Sequence, residues 1–100
     1  MKYEAFNIDI PDSAITDLRE RLKRTRWAPE YANDNWQYGT SGAYLQELLD
    51  YWADDYDWRE HEASINSFAN FKTTIEGCPI HFIYEIGKGP NPTPLILSHG

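Results

Sequence analysis

Among the side chains that could do chemistry, this chain offers three histidines, sixteen carboxylates, one thiol and a run of aromatics between Trp27 and Tyr38. His61 lies between Glu60 and Glu62, a local density of ligand-type groups. Adjacent helical positions point in different directions, however, so these three cannot converge on one ion, and His61 reads as an exposed helical histidine with no metal. Cys78 is the only cysteine, which excludes an internal disulfide and a four-thiolate metal site and fits a reducing compartment. Gly87-Lys88-Gly89 is not a phosphate-cradling loop, because the Gly-Lys-Ser/Thr at a helix start is missing. Trp27, Tyr31, Trp36 and Tyr38 sit in a segment rich in Pro, Asn, Asp, Gly and Ser. There they either staple an irregular loop onto a neighbouring surface or form a ligand-binding patch.

Net charge narrows the partners. Sixteen acids against nine bases leave −7 and a pI near 4.7, which disfavours nucleic acid and anionic membranes as partners. Five of the nine bases fall between Arg19 and Arg26. That run reads as a solvated helix face with its positive end on the negative pole of the helix dipole, an anion or partner site being the alternative. Residues 47–62 carry seven acids and one base, an opposite charge that can draw this face toward them. Ile, Leu, Val and Phe make up only 20 of the 100 residues, so packing depends on the four Trp and seven Tyr. No uninterrupted apolar run near the N-terminus has the form of a signal peptide or a membrane span.

The elements that must carry these groups follow from period. Phe6, Ile8 and Ile10 alternate with polar residues, predicting a short half-buried extended segment that Pro11 ends. Ile15, Leu18 and Leu22 predict a helix capped by Asp12 or Ser13, with acid-first pairs Asp17/Arg21 and Glu20/Arg24. Ser41 or Thr40 is expected to cap a second helix with a broad apolar face of Tyr44, Leu45, Leu48, Leu49, Trp52 and Tyr56. Asp57 to Glu60 has capping-box spacing for a third helix ending near Asn66. Phe71–Ile75 and Ile80–Ile86 then predict a β-hairpin turning at Glu76-Gly77. Leu95-Ile96-Leu97-Ser98, apolar on both faces, has the signature of a strand buried in a mostly parallel sheet. A strand of that kind needs neighbours on both edges, and no residues follow Gly100 to provide them, so the domain is expected to be incomplete.

Several blocks follow one another along the chain: Phe6-x-Ile-x-Ile-Pro, Asp17-Leu-Arg-Glu-Arg-Leu, Thr25-Arg-Trp, Trp36-x-Tyr-Gly-Thr, Tyr44-Leu-x-Glu-Leu-x-x-Tyr-Trp, Asp57-Trp-Arg, Glu62, Ile80-His-Phe and Pro94-Leu-x-Leu-x-His-Gly. On this set the whole chain resembles the N-terminal region of α/β-hydrolase-fold epoxide hydrolases of the microsomal and juvenile-hormone type. The resemblance implies an α/β fold: an N-terminal helical meander, then the first strands, a hairpin plus one parallel strand, of a truncated α/β-hydrolase sheet. It divides the chain into a wrapping region, 1–68, and the start of the core, 69–100. It also implies an enzyme that opens a small-molecule epoxide through a covalent ester, with no cofactor. Its carboxylate nucleophile, lid tyrosines and His–acid pair would lie outside these residues, so no catalytic residue is expected here. The carried-over position is the turn begun by His99 and Gly100, which in the family leads to a residue whose N–H helps form the oxyanion hole. The implied partners are the rest of the protein's own hydrolase core and its lid. The membrane anchor of some microsomal members is not seen in this sequence, which points to the soluble branch and a cytoplasmic location. Rival readings are a stand-alone interaction module and the N-terminus of another α/β hydrolase, a haloalkane dehalogenase or an esterase.

Overall fold

A computed structural model describes residues 2–98. Its elements run β1 (Tyr3–Ala5), α1 (Asp12–Lys23), α2 (Gly42–Asp54), α3 (Trp58–Asn66), β2 (Asn70–Ile75) and β3 (Cys78–Ile83). The chain divides into two compact units, Asp9–His61 and the flanking segments 2–8 and 62–98.

In the first of these units the helices form where the apolar period puts them. Asp17 and Arg21 pair at 2.8 Å and Glu20 and Arg24 at 3.7 Å, as their spacing predicts. The opposite charges of α1 and α2 meet once, at Lys23 and Asp54, 2.8 Å apart. A second exposed pair, Asp12 with Arg59 of α3 at 2.6 Å, has the reverse sign order. Each such exposed pair contributes at most about 1 kcal/mol. The start of α1 differs from expectation. Pro11, not Asp12 or Ser13, occupies the cap position, and no side chain caps the helix. The Pro11 carbonyl instead accepts from the N–H groups of Ala14 and Ile15. A proline there costs nothing, since its missing N–H precedes the helical bonds. For α3 the expected cap is present, the Asp57 carboxylate accepting from the Arg59 N–H at 2.8 Å.

The second unit is a three-stranded antiparallel sheet in the order β1-β2-β3. Two residues make the hairpin turn, Glu76 at φ +49° and Gly77 at φ +79°, the positive pair that matches strand twist. Ile75 faces Cys78 across it, and Phe71 faces Phe82 farther along. The second hairpin strand therefore occupies Cys78–Ile83 rather than Ile80–Ile86. Tight two-residue closure forces pairing to begin directly after Gly77. Pro79 is accommodated because β3 is an edge strand of this sheet, where a residue without N–H is tolerated.

The N-terminal segment also shifts. Phe6, Ile8 and Ile10 are half-buried and Asn7 and Asp9 exposed, as the alternation predicts, yet the ladder lies upstream at Tyr3–Ala5. Beyond Phe6, whose N–H reaches the Asn70 carbonyl, the segment bonds to a side chain instead of a strand. The Asn66 amide accepts from the Ile8 N–H at 2.8 Å and donates to the Ile8 carbonyl at 2.7 Å. One face of the sheet carries Tyr3, Phe71 and Phe82, with centroids 5.1–6.0 Å apart, the two Phe rings stacked and Tyr3 edge-on to both. On the other face Lys72 lies 3.6 Å above the Phe6 ring, which also meets His81 edge-on.

One expected element is missing. Leu95–Ser98 is not a strand, and the sheet of the described residues has no parallel pair. Ile96 is 93% exposed. An apolar segment becomes a parallel strand only when a codirectional neighbour takes up its N–H and C=O groups, and β1, β2 and β3 pair only with one another.

Two substitutions test the sheet unit by amide hydrogen exchange. Gly77→Ala, which forces a side chain onto a positive φ, should lower protection of the β2 and β3 amides by about 1 kcal/mol. Glu76→Asn should raise it by several tenths, because Asn tolerates that region better. Equal protection in both variants would show that the turn does not control the hairpin.

Candidate functional site

The helical unit carries an open apolar surface. Along α1, Ile15 and Leu18 are half-buried, and on α2 Leu48 and Trp52 stay exposed, Trp52 at 42%. Together with Ile10, Tyr51, Tyr56 and Trp58 they line an open groove of about 550 Å³, with Arg19 among its lining residues. No carboxylate, imidazole or thiol lines this groove. It can bury apolar surface but has no acid–base pair for catalysis. Ala53, 4% exposed, is the one buried apolar residue among those described, so the helices have little core of their own.

The aromatic loop lies in the same unit. Polar groups hold it more than its rings do. Asn33, buried, donates from its side chain to the carbonyls of Gly39 and Thr40, and accepts from the Tyr38 N–H at 2.8 Å. Glu30 reaches the start of α2, where its carboxylate accepts from the Gly42 N–H at 2.8 and 3.0 Å. Ser41 occupies the cap position as expected, but its side chain makes no capping bond; Glu30 does this from twelve residues upstream. A side chain at Gly42 would collide with the Glu30 carboxylate. Of the four rings, Trp36 packs on Tyr44 of α2 at 5.0 Å, whereas Tyr31 and Tyr38 project into solvent. Trp36 itself has φ +63°, a conformation that tolerates few large side chains.

His61 is exposed and stacks on Tyr56 at 5.1 Å, and the described residues contain no group of three His, Cys, Asp or Glu able to hold a metal. Three of the five basic residues in 19–26 are engaged by carboxylates. His99 and Gly100, the expected oxyanion-hole turn, lie outside the described residues. Sequence reasoning did not single out Glu30, Asn33 or Asn70, whose bonding partners no local pattern reveals. No helix of the described chain is long and apolar enough to cross a membrane.

Comparison with known proteins supplies what the geometry lacks. Residues 3–100 match the family model described as the epoxide hydrolase N terminus. A provisionally named epoxide hydrolase of Stigmatella aurantiaca is 43% identical over 95 residues, covering 95% of this chain and 22% of that protein. Epoxide hydrolase 1 of Oryctolagus cuniculus is 37% identical over 99 residues, again covering 95% of this chain and 22% of the relative. This chain thus spans about a fifth of the length of the curated relatives it matches. The crystal structure of juvenile hormone epoxide hydrolase from Bombyx mori superposes with a TM-score of 0.77 at 32% identity, over 89% of this chain and 24% of that one. The structure of Aspergillus niger epoxide hydrolase gives 0.74 at 31%, over 83% and 22%.

Two outcomes follow from this surface. The isolated 100-residue chain should bind a hydrophobic dye and unfold over a broad range, because the groove faces water; a sharp calorimetric transition without dye binding would contradict it. Glu30→Ala should cost about 1 kcal/mol at the start of α2, read as faster exchange of the amides that open that helix.

Proposed function

Because this chain belongs to the epoxide hydrolase N-terminus family, we propose that it is the first part of an enzyme that hydrolyses epoxides to vicinal diols. The family match over residues 3–100 carries this reading, and the two epoxide hydrolase structures that share its fold support it. In the proposed reaction a carboxylate oxygen attacks one ring carbon, the C–O bond to that carbon breaks, and the ring oxygen takes a proton from a tyrosine hydroxyl of the lid. This leaves a hydroxy ester. Water then adds to the ester carbonyl as the His–acid pair takes one of its protons, and collapse of the tetrahedral oxyanion breaks the ester C–O bond. The departing diol oxygen takes the carboxyl proton, which restores the carboxylate, and the imidazolium returns its proton to the tyrosinate.

Within that scheme the nucleophile, the lid tyrosines and the His–acid pair lie outside these residues. Residues 1–68 wrap the hydrolase core and lid, and 69–100 begin the core sheet. His99 and Gly100 start the turn whose next N–H stabilises the oxyanion. The groove between α1 and α2 supports the wrapping role, since its lining is apolar and open. The lone cysteine supports a reducing compartment, which we take to be the cytoplasm.

The test uses the whole protein that carries this segment. With racemic styrene oxide in ¹⁸O-water, a single turnover at excess enzyme should give diol whose new oxygen is ¹⁶O, drawn from the enzyme carboxylate, while later turnovers give ¹⁸O. Label in the first-turnover diol would rule out the ester route, and hydrolysis of aryl esters in place of epoxides would overturn the assignment. In the same protein Trp52→Ala should cost about 3–5 kcal/mol of stability with turnover per folded molecule unchanged, because the covered groove makes Trp52 a core residue. In the isolated chain, where Trp52 is 42% exposed, the cost should be far smaller. Lost turnover with unchanged melting would place α2 in the substrate path instead.

A further inference from the structure

We draw no further inference here: the strongest candidate, the open apolar groove between α1 and α2, is the face already read above as covered by the rest of the polypeptide, and nothing in the structure points to a second occupant.

Discussion

Asn70 holds one end of the sheet unit together. It is 5% exposed and bonds in four directions. Its side-chain nitrogen donates to the Ile65 carbonyl in the last turn of α3 and to the Phe68 carbonyl, each at 2.8 Å. Those two bonds turn its Oδ1 toward the ring of His81 on β3, whose Nε2 donates across 2.8 Å. Its own carbonyl accepts from the Phe6 N–H and so continues the pairing that β1 began. The end of a helix, the base of a hairpin and the N-terminal segment therefore meet on one residue. Removing its side chain would take the amide donor from the Phe68 carbonyl and the acceptor from His81, at about 1 kcal/mol for each bond, while the Ile65 carbonyl keeps the Phe68 N–H.

Polar groups do the same in the helical unit. Asn33 closes the loop after α1 on itself, and Glu30 ties that loop to the start of α2. Amide and carboxylate groups can set a backbone path with little apolar area, which suits a segment whose apolar side chains face outward. Because hydrophobic stabilisation scales at about 25 cal/mol per Å² buried, one buried alanine and half-buried helix faces leave the unit dependent on these bonds.

That division of labour bears on the family role. The exposed Leu48 and Trp52 and the half-buried Tyr56 and Trp58 give the groove an apolar lining, which suits the wrapping role proposed above. One face of the small sheet carries the Tyr3, Phe71 and Phe82 rings, and the other carries Phe6 and His81.

Local pattern was enough for the three helices, the Asp57 cap, the i,i+4 ion pairs and the Glu76-Gly77 turn, because each depends on residues within four positions of one another. The ordered aromatic blocks also made the family legible in the sequence. What needed the tertiary structure was set by partners far away in the chain. The Tyr3–Ala5 ladder depends on residues about 70 positions on, Asn66 clamps Ile8 across 58, and Glu30 caps α2 across 12. No period encodes such pairings, since a hydrogen bond constrains its two ends and not the residues between. Leu95–Ser98 shows the same limit from the other side: its composition marks a strand, but strand structure requires a partner, and composition cannot say whether one is present.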